Sequence, residues 1–320
     1  MSRHLGPQNV FMDRFVLEPK VQRVWDIPHA VWFTLMGVGG GLFVLARALE
    51  LESDLGTWLG LPFVELLSFA AIAVGGAILI ADLGRPLRFL RALVNPGTSW
   101  ISRGAIADVV FVVVGGLLVL PDLELGGSRP FDWLPWTAAA TNGLGRLLEL
   151  VALAAAVVVM FYAGQVLAEP RAIPYWHSPL IPAQFLLSSA ASATALLMFM
   201  QAANDAAMPA GHCWLLAGFL ALLLVLMAVH LRSDADHPGK AESIERLTRG
   251  RYRTPFLGGV VLVGTILPLV LALVGVAWSS ARDVVSVLAV LCTVPAGYGL
   301  RLLTLRVGIF PPVRTMVPVR

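Results

Sequence analysis

The sequence predicts an all-α integral membrane protein of eight transmembrane helices, and three observations predict it. Of the 320 residues, 58% are hydrophobic and only 13% are charged, where a soluble domain carries roughly a quarter charged. The mean hydropathy is +0.79. The apolar residues also gather into eight runs, at about 29–49, 62–81, 104–120, 146–168, 182–203, 211–231, 256–278 and 284–305. A helix needs roughly 20 such residues to cross about 30 Å of hydrocarbon.

An arm, residues 1–28, precedes the first run and mixes Arg3, Asp13, Arg14, Glu18, Lys20, Arg23 and Asp26. It has no short apolar core with a small-residue cleavage site, so it is not a secretory signal. Its segment "FMDRFVLEPKVQRVW" reads either as a basic amphipathic stretch lying in the interface or as a solvated tail. Run one contains "GVGGG", Gly37–Gly41. That run lacks GxGxxG spacing and follows no strand. It reads as helix packing, with Gly37 and Gly41 as a GxxxG pair and Gly75, Gly76, Gly115 and Gly116 in the same role.

Run two ends in "IADLGRPLRFL". Gly84 and Pro86 stop the helix, because Pro cannot continue it and Gly tolerates the turn. Arg85, Arg88 and Arg91 hold that end in water. Asp82 sits at the negative end of the helix dipole and needs a cation, for which Arg85 and Arg103 are the candidates. Run three is short, and run five is rich in Ser and Thr. The connection 121–145, with Trp133, Pro135 and Trp136, reads as an interfacial lid. The connection 232–255 is basic and half helical in pattern, an orientation determinant or a docking surface. Pro268 and Pro295 fall inside runs seven and eight, where neighbours must satisfy the freed carbonyls. Runs two and four begin alike, "VELLSFAAIAVGG" and "LELVALAAAVVV", a faint internal similarity. The membrane domain is thus 29–305, followed by a tail, 306–320.

Eight crossings put both termini on one side. That side holds 19 of the 23 basic residues; Arg47, Arg129, Arg146 and Arg282 are the rest. By the positive-inside rule the termini are cytoplasmic. The basic residues lie between apolar runs and make no continuous stripe, which excludes a nucleic-acid partner. Cys213 and Cys292 form no CxxC and no framework, so no iron–sulfur cluster, zinc or structural disulfide is expected in this chain. Haem is not expected either. Axial ligation needs histidines well inside spans, and His4, His29, His177, His212, His230 and His237 all lie at span ends, in the arm or in loops.

Ionisable residues at span ends are the candidates for chemistry. On the terminal side these are His29, Asp82, Arg85, Arg103 and Asp108, joined by Tyr162 and Gln184. Glu65, Glu149 and Asp205 stand on the other side, and Glu65 with Glu149 is a candidate proton route. A histidine, a phenol, an amide and carboxylates in one leaflet are the inventory for holding a two-carbonyl headgroup and supplying protons. A quinone fits: its tail is at home in lipid and its carbonyls need donors.

"LIADLGRPLRF" followed by "TSWISRGA", after a run with His29 and a glycine-rich face, resembles the polysulfide-reductase membrane-subunit family (NrfD/PsrC type). The resemblance implies two four-helix bundles and a site for ubiquinone or menaquinone without haem. It implies an iron–sulfur partner subunit wired to a molybdenum or tungsten bis-pterin catalytic subunit, in a bacterial or archaeal cytoplasmic membrane. His29 and Tyr162 match the family's quinone ligands, while the amide usual one turn before the histidine is Trp25 here. In well-known members the quinone face is non-cytoplasmic; the arginine count puts it in the cytoplasm here. The rival readings are a secondary transporter, which repeats and broken midplane helices would mark, and an anchor that binds partners without quinone chemistry.

Overall fold

A computed structural model of the chain describes residues 12–17, 20–52, 54–82, 93–136, 143–233, 238–311 and 313–317. The turn after Asp82, with Gly84, Arg85, Pro86, Arg88 and Arg91, lies outside the described residues. Eight helices are long and apolar enough to cross a membrane: Ile27–Ala48, Phe63–Asp82, Trp100–Asp122, Gly143–Ala168, Leu180–Ala203, Ala210–Arg232, Thr254–Ala277 and Ser279–Arg306, here spans one to eight. All eight match the apolar runs. Span three starts earlier than its run because Ser102 and Arg103 mask its first turn, which the Ser99 hydroxyl caps by accepting from the Ser102 N–H. A further helix, Pro238–Thr248, lies in the connection between spans six and seven.

Spans one and five form the centre. Their apolar windows are 83% and 78% buried, against 28–33% for spans two, six, seven and eight. Span one packs on spans two, four, five and eight, and span five on spans one, four, six and eight. Glycine makes this closeness possible. A Cβ built on Gly40 would stand 2.8 Å from the Ala156 carbonyl oxygen of span four, and one on Gly41 2.9 Å from Ala193 of span five. One on Gly39 would meet the Ser68 carbonyl of span two at 3.0 Å. The helix cost of these glycines, about 1 kcal/mol each relative to Ala, is what admits three neighbours to one helix.

Composition makes span five the weakest membrane helix because of its hydroxyls, yet it is central. Ser189 Oγ donates to the Phe185 carbonyl and Thr194 Oγ1 to the Ala190 carbonyl, both at 2.8 Å. Ser192 Oγ reaches across to the Thr293 carbonyl of span eight at 3.3 Å. Hydroxyls satisfied in this way are compatible with hydrocarbon. Arg301 of span eight is 1% exposed and inserts between spans one, five and eight. It donates to the Gly297 and Phe185 carbonyls at 2.9 and 3.1 Å, and to the Ser189 and Ser188 hydroxyls at 2.6 and 3.3 Å. A Cβ on Gly37 would meet its guanidinium at 2.9 Å.

Span seven begins as a wide π-helical stretch, Thr254–Ile266, that ends just before Pro268. The Thr265 hydroxyl donates to the Val260 carbonyl at 2.9 Å, which completes the widened backbone there. The described part of the N-terminal arm is paired with the C-terminal segment. Met12–Leu17 pairs antiparallel with Val313–Val317, and Lys20–Val21 with Ile309–Phe310. These segments flanking the first and last spans therefore meet at one end of the helices, as an even number of crossings allows.

The centre makes a direct expectation. Gly40→Val should destabilise the protein by about 1–3 kcal/mol through overpacking. Gly116→Val, where a Cβ would meet nothing within 4 Å, should leave the thermal midpoint in mild detergent unchanged. Equal midpoints for the two variants would show that span one is not packed as described.

Candidate functional site

Polar groups collect at both ends of spans one to four, in two clusters of different character. At the terminal end, span one presents His29, Trp32 and Met36 at helical spacing on one face. Trp25, just before the helix, stacks on the His29 ring at 4.8 Å with 28° between planes. Gln22 holds Trp25 in place: its Nε2 donates to the Trp25 and Leu305 carbonyls, both at 2.7 Å, and its Oε1 accepts the Trp25 N–H at 3.0 Å. His29 Nε2 lies 3.4 Å from Asp82 Oδ2, whose side chain is 42% exposed.

Span four brings Tyr162 into the same end, 1% exposed. Its ring stacks with Trp32 at 6.1 Å and 30°. Its hydroxyl has one proton and two acceptors, Met36 Sδ at 3.1 Å and Asp108 Oδ2 at 3.2 Å. Gly104, one turn before Asp108 on span three, lies against the Tyr162 ring, so any side chain there would claim the ring's space. Among the described residues no cation pairs with Asp108.

Three buried polar atoms of this group have no partner: His29 Nδ1, Trp32 Nε1 and Asp108 Oδ1. Each such atom costs a few kcal/mol away from water. Three of them gather around this one aromatic-lined end, which makes it the candidate place for polar atoms from elsewhere.

The structure thus brings together His29, Asp82, Asp108 and Tyr162, and adds Trp25, Trp32 and Met36. Arg103 is not with them. Its Nε and Nη2 donate to the Pro96 and Gly97 carbonyls at 2.8 and 2.9 Å, and its guanidinium covers the Trp100 ring at 4.5 Å. Among the described residues the partner of Asp82 is His29, not Arg103; Arg85 lies outside the described residues. Gln184 turns to span six, donating to the Leu226 carbonyl at 3.4 Å. Trp32 and Met36 follow His29 on one helical face, but nothing in their residue types marks them out. Gly104 carries no signal either, since its purpose appears only once Tyr162 is opposite.

At the other end, Arg47 closes span one and gathers three carboxylates. Its Nε donates to Glu65 Oε1 at 2.8 Å, and its Nη2 also bonds that oxygen. It lies 3.3 Å from Glu52 and 3.8 Å from Glu149, which Arg146 also bonds at 2.6 Å. Burial pushes the Glu52 carboxyl above its usual range, against the pull of Arg47. Asp205 stands apart, in a left-handed turn after span five. Between the two clusters, Phe43, Phe69 and Phe111 meet with ring centroids 5.0–6.1 Å apart. They lie on spans one, two and three, on the stretches that join one cluster to the other.

The model of the family described as "Polysulphide reductase, NrfD" matches residues 16–311 of this chain. A polysulfide reductase chain from Wolinella succinogenes is 28% identical over 293 residues, covering 85% of this chain and 91% of that protein. Protein NrfD of Escherichia coli is 26% identical over 274 residues, 78% of this chain and 84% of its own length. A sulfite dehydrogenase subunit from Allochromatium vinosum is 28% identical over 223 residues, 63% of each chain. The chain belongs to the NrfD family of membrane subunits of oxidoreductase complexes.

The Arg47 cluster yields an expectation about stability. Arg47→Gln strands the buried Glu65 carboxylate, and breaking a buried pair from one side costs about 3–5 kcal/mol. Arg129→Gln removes only the exposed pair with Glu124, worth about 0–1 kcal/mol. Thermal unfolding in detergent should separate the two variants clearly.

Proposed function

We propose that this NrfD-family chain is the quinone-binding membrane subunit of a multi-subunit oxidoreductase. In this reading it exchanges electrons between membrane quinone and an iron–sulfur partner subunit, which connects to a molybdenum or tungsten bis-pterin catalytic subunit. The observation that carries it is the set of unpartnered atoms, His29 Nδ1, Trp32 Nε1 and Asp108 Oδ1, beside the Tyr162 hydroxyl. A carbonyl-bearing aromatic headgroup answers the donors of that set: flat rings to stack against, carbonyl acceptors for the two N–H groups, and a tail that stays in lipid.

Quinone, when bound, supplies a carrier of two electrons and two protons. The residues of this chain hold and protonate. His29 Nδ1 and Trp32 Nε1 are free to donate where each carries its hydrogen, and Trp25 fixes the imidazole plane by stacking. The half-exposed Asp82 carboxylate, 3.4 Å from His29 Nε2, links the ring to water and can return a proton to it. Tyr162 of span four and Asp108 of span three form a second proton-holding pair, with the phenol fully buried. Glu65 and Glu149 belong, in this reading, to charge balance around Arg47. Packing also supports the reading of two four-helix bundles, since spans one to four and five to eight meet through one, four, five and eight.

The arginine count supports an orientation with both termini and the partner subunits on the cytoplasmic face of the inner membrane. That face suits oxidation of an intracellular metabolite, with electrons delivered to quinone. An iron–sulfur partner found in the periplasm would overturn this orientation.

Quinone titrated against the purified full chain in lipid nanodiscs, read by tryptophan fluorescence quenching, tests the site. His29→Ala should weaken binding at least tenfold, the scale of one lost hydrogen bond plus a desolvated partner. Tyr162→Phe should weaken it less, and Arg103→Ala should leave it unchanged. Unaltered binding in both His29→Ala and Tyr162→Phe would overturn the site.

A further inference from the structure

Just outside Trp25, four guanidiniums from four separate segments surround one cavity of about 500 Å³. Arg23 comes from the N-terminal arm, Arg246 from the loop helix, Arg251 from the lead into span seven, and Arg306 from the end of span eight. Asp26 is the lining carboxylate, and it pairs with Arg306 at 2.7 Å. Arg246 pairs with Glu242 at 2.7 Å. Arg23 and Arg251 are exposed, and Arg251 covers the Tyr252 ring at 4.7 Å. With Arg306 and Arg246 each paired to a carboxylate, Arg23 and Arg251 leave the cavity net positive, and the arrangement gains from an anion that enters between them.

The frame of this cavity is rigid. Gln22 bonds span eight through the Leu305 carbonyl, Ser243 of the loop helix donates to the Val307 carbonyl at 2.7 Å, and paired strands tie the arm to the C-terminal segment. Trp25 lines this cavity and also a neighbouring one of about 370 Å³, and it stacks on His29. One indole is therefore shared between a basic surface and the candidate quinone site. Whatever binds the arginines sits against the outer wall of the redox site.

We propose that this cavity docks an acidic peptide segment of the electron-transfer partner subunit. The inference rests on the proposed function for the partner's role, and it deepens that reading by naming the surface. Charge complementarity favours this occupant: guanidiniums spread over several segments match carboxylates spaced along a peptide, in bidentate pairs. Contacts to this surface also bring the partner to the ring that covers His29, where electrons must pass. Such pairs guide association and register more than they add affinity, so salt should weaken the contact.

The test uses the tagged full chain in its native membranes, with the partner subunits identified by mass spectrometry in the unaltered complex. Arg23→Glu combined with Arg251→Glu should lower partner recovery at least tenfold at moderate salt, with the chain's yield and thermal midpoint unchanged. A photo-cross-linking residue at Val24, 80% exposed beside the cavity, should map to an Asp/Glu-rich segment of the partner. Full partner recovery in the double charge reversal would overturn the proposal, and so would cross-links only to phospholipid or to this chain's own tail. Quinone titration of the isolated chain separates the two readings. Partner loss on charge reversal without any quinone binding keeps the docking surface and removes the quinone site. Partner retention with intact quinone binding does the reverse.

Discussion

Hydrocarbon offers no hydrogen bonds, and that single constraint organises this chain. Every polar group on a span must find its partner within the protein or be left for a ligand. Span five meets the constraint with back-bonded hydroxyls, and the two terminal nitrogens of Arg301 meet it with carbonyls and serines of its own and a neighbouring helix. Because the guanidinium fills the junction of spans one, five and eight, Gly37 and Gly297 must stay without side chains. Glycine, hydroxyl and arginine are thus one device. It lets the two most buried helices touch while keeping a charge among them.

The fold was largely legible because its signal is repetitive and crude. Eight apolar runs of membrane length survive errors of several residues at each end, and DLGRP after the second run narrows the family. What the pattern hid was local. Span five reads as a weak helix by composition since composition counts Ser and Thr as polar, whereas their hydroxyls here are spent within the helix or across to the next one. The arm's mixed residues show no two-residue alternation, and only the distant partner at Val313–Val317 makes Met12–Leu17 a strand. A pairing across three hundred residues leaves no trace in either segment alone.

The site was half legible for a related reason. His29, Asp108 and Tyr162 announce themselves as ionisable groups in apolar surroundings, and the structure gathers them with Asp82. Arg103 carries the same announcement but turns to loop carbonyls, because residue type reports the need for a partner and not which partner is nearest. The neutral contributors stayed silent. Trp32 supplies a buried N–H, Met36 an acceptor and Gly104 mere room, and each is an ordinary membrane-helix residue until its neighbours are placed.

The aromatic layer of Phe43, Phe69 and Phe111 has an electrical meaning. It lies between the His29–Tyr162 end and the Arg47 end of the same helices, and the half-exposed Asp82 beside His29 opens to the terminal side. Under the proposed function, a redox reaction that drew both its electrons and its protons from that one side would carry no net charge through the bilayer. Turnover of this kind is indifferent to the membrane voltage: it neither builds the potential nor is held back by it. Energy conservation would then fall to whichever enzyme next reoxidises or reduces the shared quinone pool.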